Sequence, residues 1–116
     1  MINEKLAHEI IEKLSQRNES ISTAESITGG LISAALTDIP GSSRVFLGGV
    51  VAYSLEMKKL ELDIPLAEIK KVGVVSEAIA VAMALAIKKK TGSTWALSST
   101  GVAGDRKSTR LNSSHT

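Results

Sequence analysis

Helical and strand-like segments alternate along this chain, and that alternation narrows the choice of fold more than any single motif does. Residues 3–17 place Leu6, Ala7, Ile10, Ile11 and Leu14 at three- and four-residue spacing among charged neighbours, which predicts an amphipathic helix. A short β-like run at 21–24 leads into a hydroxyl- and glycine-rich turn. A second helix is predicted from about residue 30 to 37, stopped by Ile39-Pro40-Gly41. Residues 45–53, with paired valines, read as a strand. A Lys-rich helix over 55–62 follows, then a shorter one from Pro65 to near Gly73. The clearest element is the helix over 76–90. Ser76 suits its N-cap, Glu77 and Lys88-Lys89-Lys90 complement the helix dipole, and Gly92 stops it. Its apolar residues cover almost every face, so burial on more than one side is expected. Residues 94–100 read as a further strand. The sum is an α/β fold of three layers in one domain.

Composition removes several classes of function. With 43% hydrophobic and 22% charged residues the chain can build a core, so a disordered reading fails. The absence of cysteine excludes disulfides, thiolate zinc sites and cysteine nucleophiles. Neither His8, read as a surface residue, nor His115 makes a metal site alone, and the acidic residues lack metal-loop spacing. No metal and no cofactor are therefore expected. The longest apolar run, residues 78–87, is too short to cross a bilayer, and no signal peptide opens the chain. A cytoplasmic location without membrane partners is the expectation.

The last twelve residues break the pattern. From Asp105 to Thr116 there is no helical or strand period and almost no apolar content. The string Asp-Arg-Lys-Ser-Thr-Arg-Leu-Asn-Ser-Ser-His resembles the in-frame translation of a sequencing adapter. On that reading the domain occupies residues 1–104, and 105–116 form a non-native, disordered tail. The tail carries Arg106, Lys107 and Arg110 against Asp105, which accounts for the whole net charge of +2. Nucleic-acid binding loses its electrostatic support, and only Phe46, Tyr53 and Trp95 are available for base stacking.

Three hydroxyl–glycine clusters fall at strand ends or turns: residues 24–30, 40–43 and 98–104. Such junctions form the ligand crevice of open α/β sheets. In the first, the amides of the following helix could face an anion such as phosphate, or the glycines could serve the turn alone. Without cysteine or a suitable histidine, a serine nucleophile needs another base. A desolvated lysine can serve, and Lys58 and Lys59 follow Tyr53-Ser54, although a lysine pair also suits a solvated helix face.

The ordered motifs Thr23-Ala24-Glu25-Ser26-Ile27-Thr28-Gly29-Gly30, Leu36-Thr37-Asp38-Ile39-Pro40-Gly41-Ser42-Ser43, Gly48-Gly49-Val50-Val51-Ala52-Tyr53-Ser54 with Lys58, Gly73-Val74-Val75-Ser76-Glu77, Ala82-Met83-Ala84 and Ser99-Thr100-Gly101-Val102-Ala103-Gly104 resemble the C-terminal domain of the CinA (competence/damage-inducible) family. The resemblance spans roughly residues 3–104. It implies an α/β/α sandwich and hydrolysis of the carboxamide of nicotinamide mononucleotide to nicotinate mononucleotide and ammonia, in pyridine nucleotide salvage. It further implies a metal-free Ser–Lys mechanism with Ser43 as nucleophile, Lys58 as base and Tyr53 in the proton network. Ser26, Thr28, Ser42 and Thr100 would supply pocket hydroxyls, with Gly29, Gly30 and Gly101 shaping it. Ile27 stands where many relatives carry Cys, a side chain that the mechanism does not use. A non-catalytic nucleotide-binding or regulatory module is the alternative. Self-association is implied for the complete domain. Relatives continue past the Gly-Val-Ala-Gly turn with further strands, an arginine implicated in the active site and a final helix. A chain lacking these is expected to expose a sheet edge and an apolar gap, and to be inactive as written.

Overall fold

The computed structural model describes residues 3–101 and, as backbone, 111–115. Helix α1 (Glu4–Gln16) begins where Asn3 Oδ1 accepts from the Leu6 amide, and it buries Ala7, Ile11 and Leu14. Strand β1 (Ile21–Glu25) is buried at all five positions. Helix α2 (Leu31–Thr37) follows Gly29 and Gly30, whose φ angles of 59° and 105° turn the chain sharply out of β1. A single 3-10 turn, Ser42–Arg44, leads into β2 (Phe46–Val51). Ser54 caps α3 (Leu55–Leu62), α4 (Leu66–Val72) is next, and Ser76 caps α5 (Glu77–Thr91). Strand β3 (Trp95–Gly101) and strand β4 (Leu111–His115) complete the chain.

The sheet order is β2-β1-β3-β4. β1 pairs in parallel with β2 and β3, and β4 runs antiparallel to β3. Two apolar clusters fill the spaces on either face. On one side Ala7, Ile11 and Leu14 of α1 meet Ile32 and Leu36 of α2, with Ile21 and Val45. On the other, Ile79, Met83, Ala84 and Ile87 of α5 meet Leu62, Ile64 and Ile69 from α3, α4 and their connection, with Ala24 and Ala96 of the sheet. Each large aliphatic side chain buried in this way contributes roughly 1.5–3 kcal/mol. The domain is therefore the expected three-layer α/β/α sandwich.

Two expectations need correction. The second strand stops at Val51 rather than Tyr53, because Ser54 Oγ accepts from the Met57 amide and draws the chain into α3. Residues 111–115, expected in a disordered tail, form β4, which pairs antiparallel with β3. Pairing of this kind joins main-chain groups and needs no apolar side chains, so the polar Asn112-Ser113-Ser114 run does not prevent it. Residues 102–110, which include most of the Gly-Val-Ala-Gly turn and the start of the tail, lie outside the described residues.

Candidate functional site

The site lies at the carboxyl ends of β1, β2 and β3, where parallel strands deliver their following turns to one edge of the sheet. Ser26 is the first residue after β1. Lys58 stands one turn into α3, which the Ser54 cap starts just beyond β2. The lysine reaches back into the interior and is only 1% exposed. Its Nζ donates to Ser26 Oγ at 3.1 Å, to the Ala52 carbonyl at 2.8 Å and to the Tyr53 carbonyl at 3.2 Å. Among the described residues no carboxylate pairs with it; the oppositely charged side chains in contact there are Arg17 and Glu19, and His8 lies beside Glu12. Burial without a counter-charge holds the Lys58 amine below its ordinary pKa. Three oxygen acceptors match the three hydrogens of an ammonium. After loss of one proton, two N–H groups can keep the carbonyls while the lone pair takes the Ser26 hydroxyl hydrogen. In that geometry the amine can act as a base toward the Ser26 hydroxyl.

Both residues line a cavity of about 600 Å³, together with Tyr53, Leu55, Ile69, Val74, Gly101 and Lys70. Tyr53 is 59% exposed on this rim, so its side chain faces solvent at the mouth while its carbonyl holds the lysine. Gly101 is among the residues that line it. Thr100 is fully buried, and its hydroxyl donates to the Val74 carbonyl at 2.8 Å, tying β3 to the segment before α5. Thr100 itself is not among the residues that line the cavity.

The expected nucleophile is not at this site. Ser43 is exposed on the 3-10 turn that precedes β2, at the amino-terminal edge of the sheet. The Ile21 amide at the start of β1 donates to the Val45 carbonyl, so Ser43 and Ser26 are separated by the length of β1, roughly 16 Å. Ser43 and Lys58 cannot form a dyad within one chain. Ser42 belongs to the same far turn, where its hydroxyl donates to the Thr37 carbonyl at 3.2 Å. A lysine after β2 points to where β1 ends, not to where β2 begins, and the serine within its reach is Ser26.

The turn after Ser26 is organised by Glu25, which the sequence motif contains but to which sequence reasoning assigned no role. Its carboxylate is fully buried and accepts from the amides of Gly30, Ile32 and Ser33 and from the hydroxyls of Thr28 and Ser33, at 2.6 to 3.2 Å. Burial works to raise its pKa, and the bonds from Ser33, Thr28 and Ile32 together outweigh it, so the carboxyl titrates below its ordinary value. The amides at the start of α2, for which an anion such as phosphate was one of two readings, are thus occupied by the chain's own carboxylate. An acidic residue one short turn before a helix is the signal that could have revealed this. Among the described residues no three His, Asp or Glu side chains are grouped as metal ligands, and no helix is long and apolar enough to cross a membrane.

Residues 3–114 match the CinA C-terminal domain. The chain belongs to that family. It is 49% identical over 102 residues to a CinA-like protein of Prochlorococcus marinus (strain MIT 9301), covering 88% of this chain and 24% of the relative. A CinA-like protein of Synechococcus sp. (strain CC9311) is 46% identical over 101 residues, covering 87% of this chain and 24% of the relative. The chain therefore spans about a quarter of the length of these curated relatives. Among solved structures, the competence/damage inducible protein CihA from Agrobacterium tumefaciens superposes with a TM-score of 0.86 at 33% identity, over 97% of this chain and 78% of that one. A CinA superfamily protein from Escherichia coli shares the fold at a TM-score of 0.85 and 20% identity, over 97% of this chain and 75% of that one.

Proposed function

We propose that this CinA domain is an amidohydrolase acting on the carboxamide of nicotinamide mononucleotide, with Ser26 as nucleophile and Lys58 as general base. The observation that carries the reading is the buried Lys58 amine, without a carboxylate partner, 3.1 Å from Ser26 Oγ at the cavity wall. Ser26 Oγ attacks the carboxamide carbon while its proton passes to Lys58 Nζ. The resulting lysinium returns that proton to the amide nitrogen, which leaves as ammonia and an acyl-serine remains. Water, deprotonated by the same amine, then releases the carboxylate product and regenerates Ser26. The developing oxyanion needs donors, and the amides of Ile27 and Thr28 in the adjoining turn donate to no group among the described residues. They are well placed in sequence for that task. The apolar walls at Leu55, Ile69 and Val74 suit a flat aromatic ring, and Lys70 puts a positive charge on the rim for an anionic substrate.

Ammonia release from nicotinamide mononucleotide by the full-length gene product tests the reaction. Ser26→Ala and Lys58→Met should each abolish turnover. Binding of the nucleotide without any turnover would instead favour a regulatory module. The nucleophile is tested separately, by covalent labelling with a fluorophosphonate. Ser26→Ala should abolish labelling and Ser43→Ala should retain it; the reverse pattern would return the role to Ser43.

A further inference from the structure

The hydroxyls beside Ser26 form a chain whose direction is fixed by one carboxylate. Ionised Glu25 can only accept hydrogen bonds, and Thr28 Oγ1 donates to its Oε1 at 2.6 Å. A threonine has a single hydroxyl hydrogen. The 2.6 Å contact between Thr28 Oγ1 and Ser99 Oγ must then be a donation from Ser99 to Thr28. Ser99 Oγ is left with lone pairs only, and it accepts from the Ser26 amide at 3.4 Å, while the same amide donates to the Ser99 carbonyl at 3.0 Å. The carboxylate, two hydroxyls and the amide of Ser26 thus form one polarised row, in which Ser99 is fully buried and Thr28 partly buried.

We infer that Glu25 is a positioning residue: acting through Thr28 and Ser99, it fixes the backbone of Ser26 so that Oγ stays against Lys58 Nζ. The inference rests on Ser26 being the nucleophile. A purely structural carboxylate would anchor α2 through the Gly30, Ile32 and Ser33 amides and leave the reactivity of Ser26 untouched. A positioning carboxylate also controls the branch through Thr28. Misplacement of a reacting atom by about an ångström costs about 100-fold in rate, so loss of the row should register at Ser26 itself.

The test is the rate of fluorophosphonate labelling of Ser26 in the 116-residue chain, normalised to its folded fraction. Labelling forms a P–O bond at Ser26 Oγ, expels fluoride and passes the proton to Lys58. Glu25→Gln and Thr28→Val should each slow it by about 10- to 100-fold. Thr28→Ser should restore the wild-type rate. The double variant should label no more slowly than the slower single one, since both act through the same row. Additive losses, or single variants that lose thermal stability while labelling at the wild-type rate, would overturn the inference. Wild-type chain that labels at Ser26 alongside a full-length product that releases no ammonia would sink the amidohydrolase reading and leave the role of Glu25 intact. Wild-type chain that does not label at Ser26 would overturn both.

Discussion

Two buried ionisable residues with opposite electrostatic histories stand on either side of Ser26. Lys58 is pushed toward neutrality by burial. Its basic form is the reactive one, so turnover should rise with pH through an inflection below the ordinary lysine value of 10.5. A rate independent of pH across the neutral to alkaline range would remove Lys58 as the base. Glu25 is held ionised by five donors. Because its folded pKa is lowered, it stabilises the fold above the ordinary carboxyl value of 4.5, and that contribution is lost as pH falls through the folded value. Glu25→Gln should therefore cost about 2 kcal/mol at pH 7 and flatten the acid side of a urea-denaturation pH profile. The importance of Lys58 is legible in the sequence through the family motif. Its partner is not, because Ser26 and Ser43 both sit in hydroxyl–glycine turns, and only the parallel pairing of β1 with β2 decides which turn shares an edge with α3.

At the scale of elements, caps made the helices readable. Asn3, Ser54 and Ser76 each accept a backbone hydrogen bond where a helix begins, and Gly92 leaves α5 with a φ of 75°. Ser76→Ala should lower stability by about 1 kcal/mol, measured by urea denaturation. Close contacts between elements were less readable. Gly49 in β2 lies against β1, where a Cβ would collide with Thr23 Oγ1 and lie 2.9 Å from the Thr23 carbonyl oxygen. The same hydroxyl contacts Ser33 Oγ at 2.7 Å, and Ser33 in turn donates to Glu25. Gly49→Ala should therefore destabilise by about 2–3 kcal/mol and slow Ser26 labelling as well. Loss of stability with unchanged labelling of the folded fraction would confine its role to packing. No periodicity marks such a glycine; its reason lies on the neighbouring strand.

At the scale of the molecule, α1 leaves part of β3 uncovered. A groove of about 300 Å³ runs between them, lined by Leu6, Ile10, Leu14, Trp95 and Leu97, with Lys13 and Arg17 beside it. Leu6 and Trp95 are well exposed there. The chain should bind an apolar dye such as anilinonaphthalene sulfonate and scatter light at raised concentration, and Leu6→Lys should reduce both. Equal dye binding by the variant would place the sticky surface elsewhere. No sequence pattern marks this groove, because which helix face lacks a partner depends on where each helix lies on the sheet. The order of the strands has a consequence in time as well as in space. Thr28 and Ser99 touch although 71 residues separate them, and β1 lies between its two parallel neighbours. On the ribosome, β1 and α3 emerge well before β3, so Ser26 gains its hydroxyl row last, when the long loop finally closes. A nascent chain should therefore carry an unreactive serine until nearly the whole domain has been made.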